Sequence, residues 1–206
     1  MDTSLQAQLA RRGARALQAL SSEARADLLH KVADALEANR EHLLEINALD
    51  VADGVDAVAR GELSEALAAR LELSPKKLSA LIDGIHAIAD MKEPIGQTLR
   101  HTELADGLVL RQITSPLGVL LVIFEARPDA LPQVAALALR SGNGLLLKGG
   151  SEASRSNRAL HRVITEAISP TIPAATIGLV ESRDEIAALL TLDDVIDLVI
   201  PRGSSS

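Results

Sequence analysis

Cysteine is absent from all 206 residues, which excludes a disulfide framework, a thiolate metal site and a cysteine nucleophile within this chain. Tryptophan and tyrosine are absent too, and Phe124 is the single aromatic residue. The core must therefore be leucine, isoleucine, valine and alanine, and no aromatic platform exists for stacking nucleic-acid bases. Basic residues are outnumbered, 21 against 28 acidic, for a net charge of −7. That balance argues against nucleic acid as a partner, since such binders carry a basic face. Long apolar runs are missing as well. The longest, Val119 to Phe124, is far short of a membrane span, and Met1-Asp2-Thr3-Ser4 does not open a signal peptide. What remains is ordinary globular material, 47% hydrophobic and 24% charged, long enough for one large domain or two small ones. A cytoplasmic protein with no membrane partner is expected.

The chain divides into three stretches. Residues 1–94 carry helical periodicity: Leu28, Leu29, Val32, Ala33 and Leu36 repeat opposite Arg25, Asp27, Lys31, Asp34 and Glu37. Ser74-Pro75 is a helix start, a capping hydroxyl followed by a proline whose missing N–H costs nothing there. Asp50 to Gly61, with two glycines, reads as a looser segment; its Asp50, Asp53 and Asp56 fit no metal-ligand spacing. Residues 95–115 change character. Gly96 to Glu103 and Leu108 to Thr114 flank Ala105-Asp106-Gly107, the pattern of a β-hairpin. A lone two-stranded ribbon is marginal in water, so this projecting arm needs a partner.

Residues 116–206 alternate regularly. Strands are expected over Gly118 to Phe124, Leu145 to Lys148, Thr176 to Val180 and Val195 to Ile200. Helices are expected over Asp129 to Ser141, Ser151 to Ile168 and Asp184 to Leu190. Such alternation implies parallel βαβ crossovers, with ligands at the carboxyl ends of the strands. Three of those ends are polar or glycine-rich: Phe124 to Asp129, Leu147 to Glu152 and Pro201 to Ser204. None is a dinucleotide fingerprint or a P-loop. Taken singly, such a strand end more often just makes a tight turn into the next helix.

Four runs together are more specific. Ser115-Pro116-Leu117-Gly118-Val119, Phe124-Glu125-Ala126-Arg127-Pro128-Asp129-Ala130-Leu131, Arg140 through Gly150, and Ile196 through Gly203 closely resemble γ-glutamyl phosphate reductase. That family also supplies the reductase domain of pyrroline-5-carboxylate synthases. The resemblance covers essentially the whole chain. It implies an α/β fold, a Rossmann-like parallel sheet of the aldehyde dehydrogenase superfamily, with a helical amino-terminal region and a projecting hairpin. It implies an enzyme that reduces L-glutamyl 5-phosphate to glutamate 5-semialdehyde with NADPH, in proline biosynthesis. The hairpin at 95–115 resembles the arm that pairs subunits, so a homo-oligomer is expected.

Residue roles follow from the same resemblance. Lys148, with Gly149 and Gly150 after it, resembles the lysine that meets the adenosine ribose. Ser151 stands where NAD-preferring relatives often carry a glutamate, which suits NADPH, although Glu152 lies beside it. Gly203 and Ser204 resemble the turn whose helix N-terminus holds the pyrophosphate. Arg127, at the end of the first strand, is placed to meet the substrate's phosphate or carboxylate. A salt bridge to Glu125 or Asp129 is the alternative for it. Three departures stand out. The superfamily's oxyanion asparagine has no counterpart, because Glu125 or Asp129 stands there. Family members often carry lysine at Ser151 and a basic residue at Ser154. The family's thioester-forming cysteine belongs to a following domain, so no catalytic residue is expected here, and the sequence resembles the cofactor-binding half. A non-catalytic nucleotide-binding or assembly module is the alternative. The five histidines show no ligand or triad spacing, and each is expected on a surface or half-buried position.

Overall fold

In a computed structural model, residues 2–202 are described; Gly203 and Ser204, expected at the pyrophosphate, lie outside them. Five helices come first: α1 (Thr3–Gln18), α2 (Ser22–Ala38), α3 (Arg40–Ala59), α4 (Glu65–Leu71) and α5 (Pro75–Asp90). Side-chain oxygens start most of them. Asp2, Ser21, Ser64 and Ser74 accept backbone N–H groups of the first turns of α1, α2, α4 and α5. The looser segment expected from Asp50 is instead helical, because α3 runs unbroken to Ala59. Gly54 sits there for packing: a Cβ would lie 2.7 Å from a methyl of Leu71, so α4 closes directly against α3. Asp50 and Asp53 are spent on the start of a later helix. Asp50, only 2% exposed, accepts from the Ser156 backbone and hydroxyl at 2.7 Å each, and Arg155 reaches both carboxylates. Among the described residues no acidic or histidine cluster is fit to hold a metal.

β1 (Thr98–Ala105) and β2 (Leu108–Ile113) form the antiparallel hairpin. Its turn residue Gly107 has φ +74°, and the ladder shifts register just before it. Almost every hairpin residue is exposed, including Leu99, Leu104, Leu108, Leu110 and Ile113.

The remainder alternates: β3 (Val119–Ile123), α6 (Ala130–Arg140), β4 (Gly144–Lys148), α7 (Ser154–Ile168), β5 (Ile177–Val180), α8 (Arg183–Leu189) and β6 (Leu198–Pro201). Ser151–Ala153 forms a 3₁₀ turn ahead of α7, so that helix starts later than its sequence pattern suggests. β6 also starts late. Val195 and Ile196 are buried against the sheet and bond back to the Leu192 carbonyl, which leaves strand pairing to the residues after them. The sheet is wholly parallel, in the order β5-β4-β3-β6. One face carries α6 and α7, backed by α2 and α5, over Leu120, Val122, Leu145 and Leu147. The other packs Val119, Leu121 and Leu146 under α1 and α8. The chain moves outward from β3 to β5, then returns to place β6 on the opposite side of β3. That reversal opens a crevice at the carboxyl ends of β3 and β6. A buried charge cluster braces the helical side: Arg25 and Arg140 meet Glu93 at 2.9 and 3.2 Å, and both also donate to main-chain carbonyls.

Candidate active site

The strand ends are shaped by two close approaches. At the end of β4, Gly149 faces Asn157 of α7, and a Cβ there would lie 2.2 Å from the amide nitrogen. Asn157 is buried, and its amide oxygen has no hydrogen-bond partner among the described residues. At the end of β3, Ala126 has φ +28°, the one non-glycine among the described residues with positive φ. Its N–H is held by the Glu152 carboxylate at 2.6 Å, which offsets part of that strain. Glu152, the acid that shares the turn with Ser151, is thus tied to the neighbouring strand end.

Lys148 is half-buried as the last residue of β4, and its ammonium donates to the Gly149 carbonyl at 2.5 Å. Among the described residues it has no carboxylate partner. Ser151 is exposed at the start of the 3₁₀ turn. Arg127 is exposed and unpaired among the described residues, so its salt-bridge alternative is not formed. It lines a groove of about 750 Å³ between α6 and the β3–β6 edge, floored by Leu120, Val122 and Phe124. The Lys148–Ser151 turn does not line that groove. The structure therefore separates the residues expected at the cofactor from the one expected at the substrate, along one edge of the sheet.

Two further groove residues escaped the sequence. Arg70 comes from α4, fifty-odd positions before Arg127, and nothing local marks it. Arg202 lies in the Pro201-to-Ser204 run, where the glycine drew attention from the guanidinium beside it. Both are exposed, and both line the groove. Glu125 and Asp129 share it.

The histidines lie at exposed or half-buried positions on helices and one strand. His30 and His86 were not foreseen as a pair. Their rings stack at 5.1 Å, with Nδ1 atoms 2.8 Å apart, joining α2 to α5. Burial pushes the pKa of His161 down, against the smaller opposing pull of the Ile177 carbonyl and the Glu181 charge.

A parallel sheet with helices on both faces and polar turns at its switch point defines a doubly wound α/β unit, whose ligand crevice lies at the carboxyl ends of the strands. Residues 2–206 match the family model described as the aldehyde dehydrogenase family, and the chain belongs to that family. A NAD-dependent benzaldehyde dehydrogenase of Corynebacterium glutamicum shares the fold, with a TM-score of 0.75 at 19% identity, covering 99% of this chain and 41% of that one. Delta-1-pyrroline-5-carboxylate synthase A of Arabidopsis thaliana is 58% identical over 196 residues, covering 95% of this chain and 27% of that protein. A γ-glutamyl phosphate reductase of Haloquadratum walsbyi is 45% identical, covering 96% of this chain and 43% of that one. The crystal structure of γ-glutamyl phosphate reductase from Saccharomyces cerevisiae superposes with a TM-score of 0.89 at 37% identity. It covers 100% of this chain and 52% of that one. The chain thus spans about half, or less, of the length of these relatives.

Proposed function

We propose that this chain is the cofactor-binding portion of a γ-glutamyl phosphate reductase, reducing L-glutamyl 5-phosphate to glutamate 5-semialdehyde with NADPH in proline biosynthesis. The observation that carries this reading is its agreement along the whole chain with the yeast reductase, at a TM-score of 0.89. In this reading residues 1–94 and 116–206 build the cofactor side, the 95–115 hairpin joins subunits of a homo-oligomer, and the protein works in the cytoplasm. Among the described residues no helix is long and apolar enough to cross a membrane.

The turn after β4 fits a phosphate-bearing cofactor. Lys148 offers an ammonium with N–H groups to spare and, among the described residues, no competing carboxylate. Gly149 and Gly150 keep side chains off the approach, and Ser151 adds a hydroxyl without charge. Glu152 is turned toward Ala126, so its charge is already engaged. When bound, NADPH supplies a hydride. This chain's share is to hold the adenosine end at Lys148 and Ser151, with Gly203 and Ser204 at the pyrophosphate, and to meet the substrate anion at Arg127. A titration of the chain with NADPH and NADH, followed by cofactor fluorescence, tests the reading; tighter binding of NADH would overturn the choice of cofactor. The alternative, a binding or assembly module without chemistry, is favoured by one observation: no cysteine occurs in the 206 residues.

A further inference from the structure

We infer that Arg70 and Arg202 join Arg127 in a three-arginine clamp that takes a small acyclic ligand bearing two anionic groups. The inference rests on the reading above for the ligand's identity, a glutamyl chain with phosphate at one end and carboxylate at the other. Three observations support it. All three arginines line one groove. None has a carboxylate partner among the described residues, whereas Arg155 and Arg158 nearby are paired with Asp50, Asp53 and Glu181. Each is also presented by backbone fixed independently of its own side chain.

Arg70 precedes Leu71, which is fully buried against Ala126 and Ala153. The Leu71 carbonyl accepts from the Asn47 amide at 2.8 Å, and buried Asn47 also bonds Ser156 and the Leu73 N–H. Arg127 follows Ala126, whose N–H the Glu152 carboxylate holds. The Arg202 N–H donates to the Ile123 carbonyl at 2.9 Å, continuing β6 beside β3. Three separate segments thus deliver three forked donors to one place, over a floor of Leu120, Val122 and Phe124. A guanidinium matches carboxylate or phosphate with two parallel hydrogen bonds, and the apolar floor lowers the local dielectric. One anionic group needs at most two such forks. The third arginine serves a second group a few bonds away, and Asp129 on the same groove matches an ammonium on the ligand.

Calorimetric titration of the chain with inorganic phosphate, glutarate and a non-hydrolysable phosphonate analogue of glutamyl phosphate tests the clamp. Arg70→Ala and Arg202→Ala are each expected to weaken the phosphonate about tenfold, in the range of charge-assisted hydrogen bonds. Arg→Lys at either position should fall between, keeping charge but losing the fork, and it serves where an alanine variant misfolds. Arg100→Ala on the hairpin should change nothing. Unchanged affinity in the Arg70 and Arg202 variants overturns the clamp while leaving the substrate reading intact. If those variants weaken glutarate and the phosphonate binds no tighter than glutarate, the clamp stands and the substrate reading fails; if neither glutarate nor the phosphonate binds tighter than phosphate, the two-anion clamp is overturned. No binding of any probe at millimolar concentration overturns the clamp outright.

Discussion

Lys148 ends a buried strand, yet its ammonium has a single partner, the carbonyl of the next residue. A cation left that lightly engaged in a half-buried position is stabilised by an incoming anion. Lys148→Ala should therefore weaken NADPH by about 1–3 kcal/mol. Ser151→Glu should weaken NADPH more than NADH, because the added charge would face the 2′-phosphate. Fluorescence titration with both cofactors measures the pair, and equal losses would mean the adenosine end lies elsewhere. His161 carries a second residue-scale expectation. Burial holds its folded pKa below the ordinary 6.5. The folded protein then resists a proton that the unfolded chain accepts, so stability falls as pH drops from about 6.5 toward the lower folded value. The carboxylates held low by partners, such as Glu181 beside Arg158, add their own losses only below 4.5. Urea midpoints between about pH 5 and 8 should slope in the wild type and flatten in His161→Gln. The same slope in both would show that burial of this ring is not what acid attacks.

The hairpin shows what an element needs from outside itself. Its two strands pair only with each other, and leucines on both faces meet solvent. Two paired strands with no packed face are marginally stable, so the ribbon is expected to gain its order by lying along another surface. Deleting Gln97 to Gln112 should leave a monomer, while the intact chain sediments as an oligomer at tens of micromolar. A monomeric intact chain would sink the idea. This hairpin was legible because Asp106-Gly107 is a local signal. α3 was not. Asp and Gly lower helix propensity, so Asp50 to Ala59 reads as loop, and the reasons it is helical lie far along the chain. Asp50 bonds Ser156, and Gly54 clears space for Leu71. The late start of β6 has the same origin, since Val195 and Ile196 prefer burial under α8 to strand pairing. Turn chemistry and period are written locally, whereas partners distant in sequence are not. Arg70 in the groove is the functional counterpart of that rule.

At the scale of the whole molecule, alternation of strand and helix is enough to expect a parallel sheet, but not the reversal that sets β6 beside β3 and opens the groove. In the reading proposed above, that arrangement prepares binding sites and leaves the chemistry to a thiolate. Reduction in the family proceeds by attack of a cysteine thiolate on the acyl phosphate, followed by hydride transfer to the thioester. These 206 residues contain no cysteine. Serine is a poor substitute unless a base lowers its barrier, and His30, His86, His42 and His161 bond instead to each other, to Asp90, to Arg162 and to the Ile177 carbonyl. The chain spans 43% of the archaeal reductase, and in the reading proposed above the nicotinamide lies between two domains, of which these residues supply one. The expected outcome is weak but measurable NADPH binding, with no reduction of glutamyl phosphate and no oxidation of glutamate 5-semialdehyde. Without tryptophan or tyrosine, cofactor fluorescence reports the first against almost no protein background. The reverse reaction, run with phosphate and NADP⁺ at high protein concentration, reports the second. Turnover that co-purifies with the chain would mean that its nucleophile is not a cysteine, and that Arg127 and its neighbours serve a different chemistry.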